Sequence, residues 1–362
     1  MPDAVDVSVR LKDLIGQRVE LESQLQNEKG TVSDALSHSY DRRYASLQKG
    51  LAQLFKDATE ESHRITIMLE MMRILENRLV YLQNFIVDPT SDNRVLAQLV
   101  TRFIDQLASR RSNVLTSLEA TYYRAVAALY AGEHATARDA FREACASEES
   151  DEANDIKYKS FVILGHLSHQ EQDYAKARDL HDQSLKYSYN NNVTAQALAF
   201  KALNSYALKD YDEALQLFEE SLHLFDREQP FFNSYFFRNA LLFCGLIYFD
   251  RKEYDKAGRY YQQVLESVEP NSYDYFDALS QLGKISYATQ HIDKAIDFFS
   301  RAVQTQKLNE NEYLVDTWFW LARCHLKQND SAEARPYLEK IAASDVKYDK
   351  KPQAAELLAR VS

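Results

Sequence analysis

The sequence predicts an all-α protein, a helical-repeat superhelix preceded by an N-terminal helical bundle or coiled coil. Only 8 glycines and 6 prolines interrupt the 362 residues, which is too few turn residues for a β-sandwich or a propeller of this length. Apolar residues recur at helical spacing along most of the chain, as amphipathic helices require. From about residue 118 onward, one short sequence motif recurs, which indicates a repeat architecture.

The composition excludes several classes of protein. The 43 lysines and arginines against 54 aspartates and glutamates give a formal net charge of −11, so we expect no nucleic-acid binding, which needs clustered cations. No apolar run approaches the roughly 18 residues of a spanning helix, and the first residues lack the pattern of a secretory signal. The 3 cysteines form no CxxC pair, which favours a reducing compartment. We therefore expect a cytoplasmic protein without membrane insertion.

Residues 1–117 are predicted to form an antiparallel helical bundle or coiled coil. Apolar residues step by three or four along residues 5–28, 40–54, 65–86 and 96–107, so each segment carries an apolar seam on one helix face. A seam this regular needs a partner helix, in the same chain or in a second copy. Three roles stay open for these helices: support of the following domain, homodimerisation, and binding of a second protein.

Six copies of this sequence motif follow, and one position of the motif is alanine in every copy. Successive alanines are 40, 37, 43, 38 and 39 residues apart. They are Ala137, Ala177, Ala214, Ala257, Ala295 and Ala334. About twelve residues earlier most copies have a second small residue, and four residues later most have a bulky one, such as Phe141 or Phe299. His181 is the exception at the bulky position.

This alternation of small and bulky residues has a physical cause. Two helices joined by a short turn pack closely only where small residues stand at their crossing point, and bulky residues one turn later fill the space against the next pair. One such hairpin is too small to bury its own apolar face, so hairpins must stack. We therefore predict six helix-turn-helix repeats over residues 118–345 and a capping helix over residues 346–362.

The sequence motif resembles the repeat of the tetratricopeptide repeat family. Tyr174, Tyr211 and Tyr254 stand three residues before the fixed alanine, where that family has an aromatic residue, and the segment around Trp318 is similar to the start of its first helix. The period averages about 39 residues, whereas about 34 is typical of the family. The resemblance implies a right-handed, TPR-like solenoid with a protein-binding role.

The resemblance also implies that the first helix of each repeat lines a concave groove in which partner peptides dock. In repeat three the turn looks one residue short. The candidate partner-binding residues, carried over by position, are Tyr122, Val126, Tyr130, Lys159, His166, His169, Asn204, Tyr206, Asn239, Leu246, Phe249, Lys284, Tyr287, Phe319, Arg323 and Lys327. Their amides, cations and aromatic rings suit an extended peptide.

Two narrower resemblances give more specific hypotheses. Chaperone-binding members of the family hold a C-terminal carboxylate with lysine and asparagine residues, but the order and spacing of Lys159, Asn204, Lys284 and Arg323 do not reproduce that clamp. Residues 202–214 are similar to the segment in which Rap-type bacterial peptide receptors present a peptide-gripping asparagine, which would be Asn204. The first 117 residues match no motif of the Rap effector bundle.

No motif of an enzyme or of a metal site is present. The chain lacks GxxxxGK[ST], GxGxxG after a strand, GxSxG and HExxH. His166 and His169 share a helix face at a spacing that metal sites use, but no recognised metal motif accompanies them, which favours histidines that line the groove. The sequence thus predicts no catalytic residue, no metal and no cofactor.

The sequence as a whole predicts a non-catalytic adaptor or scaffold that binds a partner peptide or helix in the concave groove. The alternative is a Rap-like regulatory peptide receptor whose N-terminal bundle binds a second protein. A dimer through the N-terminal helices would raise apparent affinity without new contacts.

Overall fold

The computed structural model describes residues 4–27, 34–81, 91–110, 113–148, 151–229, 234–270, 272–305 and 311–361. All regular structure in these ranges is α-helical, in 17 helices, which confirms the all-α prediction. The first four helices are α1 (Ala4–Asn27), α2 (Asp34–Asp57), α3 (Glu61–Tyr81) and α4 (Ser91–Ser109). None of the described helices combines the length and the apolar character needed to cross a membrane.

Helices α5 to α16 follow as pairs, one pair for each predicted repeat. The pairs are α5 (Ser117–Ala131) with α6 (His134–Cys145), α7 (Asp151–Gln170) with α8 (Tyr174–Leu185), α9 (Asn191–Ala207) with α10 (Tyr211–Leu224), α11 (Ser234–Asp250) with α12 (Tyr254–Ser267), α13 (Tyr273–Ala288) with α14 (Ile292–Gln304), and α15 (Glu312–Lys327) with α16 (Ser331–Ala343). Helix α17 (Lys351–Val361) comes last.

The chain divides into two compact units, Met1–Asn233 and Ser234–Ser362. The first unit holds α1 to α10 and therefore repeats one to three, and the second holds α11 to α17 and therefore repeats four to six. The division falls between repeats three and four. The domain boundaries drawn from the sequence, after residues 117 and 345, stay predictions.

The N-terminal helices of the first unit pack on one another. Helices α1 and α2 run antiparallel, because Arg10 near the start of α1 pairs with Asp57 at the end of α2 at 3.3 Å. Arg18 of α1 pairs with the buried Glu70 of α3 at 2.5 Å. The seam predicted over residues 82–86 lies outside the described residues. Six apolar side chains of α3 are at most 1% exposed: Ile67, Met68, Met71, Met72, Ile74 and Leu75. Helix α3 is therefore part of the core of this unit.

The turn inside every repeat contains one residue in the left-handed region. The φ angle is 80° at Gly132 in repeat one. In repeats two to six it is 61° to 66°, at Gln172, Lys209, Lys252, Gln290 and Asn329. The amide of the next residue then donates to a carbonyl five residues earlier, as Asp210 does to Ser205 at 2.9 Å, which satisfies the last carbonyls of the first helix. In repeats two to six the turns therefore form without glycine, at a cost of roughly 1–2 kcal/mol each.

At the crossing of the two helices of a hairpin, a small residue of the first helix meets the bulky residue of the second helix. A Cβ atom built on Gly283 would lie 2.6 Å from the Phe299 ring, and one on Gly245 would lie 2.8 Å from the Tyr261 ring. Both rings are at most 1% exposed. The close approach of these helices therefore requires the glycine, because even a methyl group would displace the ring.

The last helix covers the end of the second unit. Ala354 of α17 lies in one apolar cluster with Leu338 and Ile341 of α16, and Leu357 and Leu358 pack against the same cluster. An open array of hairpins leaves an apolar face at its end, and a terminal helix of this kind shields it.

Candidate functional site

The candidate residues chosen from the sequence all lie on the first helices of the repeats, and the structure buries some of them. Tyr122, Val126, Tyr130, Asn204 and Phe319 are at most 2% exposed. Their side chains pack between helices and are out of reach of a partner in this structure. The remaining candidates are partly or fully exposed: Lys159, His166, His169, Tyr206, Asn239, Leu246, Phe249, Lys284, Tyr287, Arg323 and Lys327.

In the first unit, helix α3 lies on the face of repeats one and two where a groove was expected. The Tyr130 hydroxyl donates to the Leu75 carbonyl at 3.0 Å, and the Tyr123 hydroxyl donates to the Glu76 carboxylate at 3.1 Å. Lys159 Nζ of α7 donates to the same carboxylate at 2.5 Å. The chain itself therefore covers this face, and a partner would have to displace α3 to use it.

The charge of Lys159 is used within the chain. Burial alone would lower the pKa of Lys159, but the nearby carboxylates of Glu76 and Asp155 raise it well above its usual value. Its Nζ lies 2.6 Å from Asp155 as well as 2.5 Å from Glu76. An ammonium group held by two carboxylates has little attraction left for the carboxylate of a ligand.

Asn204 reveals a register error in the sequence prediction. The turn of repeat three is not short: residues 208–210 separate α9 from α10, and turns of equal length occur in repeats two, four, five and six. Because the turns are equally long, the residue of repeat three that corresponds to His166 of repeat two is Leu203 and not Asn204. Leu203 is partly exposed. Asn204 points inward, where its amide donates to the Phe200 carbonyl at 2.8 Å and its Oδ1 lies 2.8 Å from His169 Nδ1.

His166 and His169 share one face of α7, with ring centroids 6.4 Å apart. Burial, together with the neighbouring His169, lowers the pKa of His166 to about 4, so the His166 imidazole is neutral near neutral pH. Within the described ranges no three side chains of metal-ligand type come together. These histidines take part in the packing of α7 against α9, where the His166 ring lies 6.3 Å from that of Phe200.

In repeats two to four, an aromatic ring near the end of the first helix packs edge-on against the tyrosine that opens the second helix. The distances between centroids are 5.1 Å for His169–Tyr174, 5.2 Å for Tyr206–Tyr211 and 5.6 Å for Phe249–Tyr254. The tyrosines on which the family resemblance rests therefore pack beside the turn of each hairpin, against candidate residues that are partly buried.

The second unit carries a surface on which cations lie against aromatic rings. We call it the cation–aromatic surface, and its members come from α13, from α15 and from the segment before α17: Tyr287, Phe319, Trp320, Arg323, Lys327, Tyr348 and Lys350. The Arg323 guanidinium lies 4.8 Å from the Trp320 ring centroid and 5.1 Å from that of Tyr287. Lys327 Nζ lies 4.8 Å from the Tyr287 centroid, and Lys350 Nζ lies 5.4 Å from the Trp320 centroid. Cations are attracted to ring faces at such distances.

One carboxylate, that of Asp316, joins the parts of this surface. It accepts from the Tyr348 hydroxyl at 2.7 Å, from Lys350 Nζ at 2.6 Å and from Trp320 Nε1 at 3.2 Å. Lys284 Nζ lies 2.8 Å away. Burial alone would raise the pKa of Asp316, but the ammonium groups of Lys284 and Lys350 lower it to about 2. The carboxylate is therefore ionised across the physiological range and orients both lysines.

Positive charge remains on this surface after these pairings. Lys284 and Lys350 share the single carboxylate of Asp316. Neither Arg323 nor Lys327 pairs with a carboxylate among the residues that the structure describes. Within a chain of net charge −11, this is a local excess of cations beside the partly exposed rings of Tyr287 and Trp320, a combination that suits the binding of carboxylates.

Sequence reasoning identified part of this surface and missed the rest. Positions on the first helices predicted Tyr287, Phe319, Arg323 and Lys327 as binding residues, whereas Trp320, Tyr348 and Lys350 were missed. The signal that could have found Tyr348 and Lys350 is the sequence KYDK at residues 347–350, just before α17, in which cations flank an aromatic residue.

Family models of the tetratricopeptide repeat match residues 245–310 and 316–345. Residues 245–310 and 316–345 therefore contain tetratricopeptide repeats. The matched tetratricopeptide repeats lie in the second unit and include Tyr287 and Arg323 of the cation–aromatic surface. These matches do not show the resemblance to Rap-type peptide receptors.

Solved structures similar to this chain share low sequence identity with it. BtubC (BKLC) from P. vanneervenii is 16% identical, with a TM-score of 0.48 and coverage of 68% of this chain and 92% of that one. The pilF protein of Pseudomonas aeruginosa is 16% identical, with a TM-score of 0.47 and coverage of 67% and 97%. YrrB, a TPR protein with an unusual peptide-binding site, is 17% identical, with a TM-score of 0.42 and coverage of 56% and 91%. No curated protein sequence matches the chain.

Proposed function

We propose that this chain is a non-catalytic scaffold that binds an extended, acidic segment of a partner protein on the cation–aromatic surface. The family supports a protein-binding role, because tetratricopeptide repeats generally serve interactions between proteins. The observation that carries the proposal is the position of Arg323, whose guanidinium lies among the rings of Tyr287, Phe319 and Trp320 without a carboxylate partner among the described residues.

The chemistry of this surface suits a peptide carboxylate. A guanidinium can donate two parallel hydrogen bonds to one carboxylate, and the rings around Arg323 limit the water that competes for it. The partly exposed rings of Tyr287 and Trp320 provide contact area at a low cost in side-chain entropy. A long polyanion such as a nucleic acid would also meet the negative charge of the rest of the chain, which disfavours it.

The test is a binding measurement by fluorescence anisotropy with a fluorescein-labelled peptide of alternating glutamate and tyrosine. We expect the wild-type chain to bind it more tightly than the peptide in which lysine replaces glutamate. Arg323→Gln should weaken binding by about tenfold, the value of one charge-assisted pair. The matched control is Arg335→Gln, because Arg335 is exposed on α16 and pairs with Glu339 at 2.8 Å.

Two outcomes would contradict the proposal. One is equal affinity of the wild-type chain for the glutamate and lysine peptides. The other is an affinity of Arg323→Gln that matches that of Arg335→Gln, since binding would then not depend on the guanidinium among the rings. Circular dichroism of each variant shows whether the helices are retained.

A further inference from the structure

The segment between α16 and α17, residues 344–350, folds back onto the first helix of repeat six. Tyr348 is 7% exposed, its ring lies 6.1 Å from that of Phe319, and its hydroxyl donates to Asp316 at 2.7 Å. Lys350 Nζ donates to the same carboxylate at 2.6 Å. The Val346 amide donates to Ser344 Oγ at 3.1 Å. The segment is therefore held in a defined position against α15.

We infer that this segment is a second wall of the binding site, in which Lys350 receives a second carboxylate of the same acidic segment that Arg323 binds. The inference rests on the proposed function and deepens it, because it specifies where the acidic residues of the partner stand. The helix after the last repeat then has two roles: it covers the apolar end of the array, and it fixes the loop that presents Lys350.

The geometry specifies the spacing of the partner's acidic residues. Arg323 and Lys350 lie 4.8 and 5.4 Å from the centroid of the same Trp320 ring, so the two cations are at most about 10 Å apart. In an extended peptide, residues i and i+2 project from the same side and are about 7 Å apart. Two acidic residues separated by a single residue therefore match the two cations, whereas adjacent acidic residues point to opposite sides.

The charges at Lys350 leave it able to bind a ligand. Asp316 orients Lys350 but also pairs with Lys284, so the negative charge of Asp316 is divided between two ammonium groups. The Lys350 ammonium keeps further N–H donors, because a lysine has three, and it lies against the rings of Phe319, Trp320 and Tyr348 at 5.4 to 5.7 Å. A carboxylate that arrives there completes the neutralisation of the pair.

The test uses fluorescein-labelled serine-rich peptides that carry either Glu-Tyr-Glu or Glu-Tyr-Gln. We expect the wild-type chain to bind the first peptide about fivefold more tightly, the value of one partly exposed ion pair. Lys350→Gln should remove this preference and leave the affinity for the second peptide unchanged. Lys347→Gln is the matched control, because it removes an exposed lysine from the same segment.

The outcomes separate the inference from the proposed function. If Lys350→Gln keeps the preference for the peptide with two glutamates, or if Lys347→Gln loses it equally, the second wall is wrong, although Arg323→Gln can still show that the acidic segment binds. If the wild-type chain binds neither peptide, the proposed function itself fails. A loss of helical circular dichroism in Lys350→Gln alone would show that the lysine is needed for folding, which also overturns a binding role for it.

Discussion

Replacing His181 by phenylalanine should stabilise the first unit. His181 is 0% exposed, and its ring stacks on that of Phe200 with 4.8 Å between centroids. Both of its ring nitrogens lack a hydrogen-bond partner among the described residues. The same position of other repeats holds an apolar or phenolic ring that is at most 1% exposed, in Phe141, Phe218, Tyr261 and Phe299. The histidine therefore carries a polar cost that the other repeats avoid.

The magnitude follows from two opposing effects. A buried polar group without a partner costs about 1–3 kcal/mol, whereas a larger ring in a packed site costs part of that through strain. The strain is small here, because Gly165 faces His181 as closely as Gly283 faces Phe299, with a built Cβ 2.6 Å from the ring in both. We expect a net gain of about 1–2 kcal/mol in the free energy of unfolding near neutral pH.

The stability gained by His181→Phe over the wild-type chain should grow as the pH falls. Burial, with the charges of His166 and His169, lowers the pKa of His181 to about 3, whereas an unfolded histidine has a pKa of about 6.5. The unfolded chain therefore binds more protons, and the wild-type stability falls as the pH drops below about 6.5. Between about pH 7 and pH 5 this loss is about 2 kcal/mol. Phenylalanine does not titrate, so the His181→Phe variant should not show this loss of stability.

Hydrogen–deuterium exchange of the amides in α7 and α8 measures the free energy of opening of this region at both pH values. His134→Gln is the control, because His134 is exposed in the same unit and should change neither the protection nor its pH dependence. A variant His181→Phe that is no more protected than the wild-type chain, or that loses as much protection at low pH, would refute the argument from the unpaired nitrogens.

Four further substitutions test the packing and the charges. Gly283→Ala should destabilise the second unit by about 2 kcal/mol, because the new Cβ would lie 2.6 Å from the Phe299 ring. Gly258→Ala is its control: nothing lies within 4 Å of the new Cβ, so this change should stabilise the unit by about 0.5–1 kcal/mol. Tryptophan fluorescence during urea unfolding measures both changes in stability, and equal effects would contradict the packing argument. The pKa of Asp316 is lowered to about 2, whereas an unfolded aspartate has a pKa of about 4. The ionised carboxylate should therefore add about 1–2 kcal/mol to the free energy of unfolding above pH 4, and this stability should be lost as the pH falls toward 2. Urea unfolding curves of Asp316→Asn, measured over this pH range, should lack the loss. Glu76→Gln should lower the stability of the first unit by about 2–3 kcal/mol, as expected when one partner of a largely buried ion pair is removed; an unchanged thermal midpoint would show that this carboxylate does not hold α3 in place.

The repeats could be predicted from the sequence because their packing is local. The small residue and the bulky residue that meet at each crossing, such as Gly283 and Phe299, stand on neighbouring helices of one hairpin, so their spacing is visible in the chain. The turns were harder to place. Only repeat one has glycine at the left-handed position, and Lys209 takes that conformation in repeat three, so the usual signal is absent and the register was misjudged by one residue.

The candidate site could be predicted only in part, because exposure depends on segments that are distant in sequence. Lys159 has the right residue type and position, yet its partner Glu76 comes from a helix 83 residues earlier. Lys350 meets Asp316 across 34 residues. Periodicity identifies which face of a helix is apolar, but it does not identify which distant segment covers that face.

The distribution of charge on this chain gives specificity to the proposed interaction. The chain as a whole repels an acidic partner, since its net charge is −11, and this repulsion extends over about a Debye length, roughly 8 Å at physiological salt. Attraction therefore has to come from close contact, where Arg323, Lys327 and Lys350 lie beside ring faces and, of these three, Lys350 pairs with Asp316. An acidic segment that cannot place its carboxylates at these cations meets only the repulsion. Discrimination among acidic partners thus follows from the spacing of their charges more than from their number.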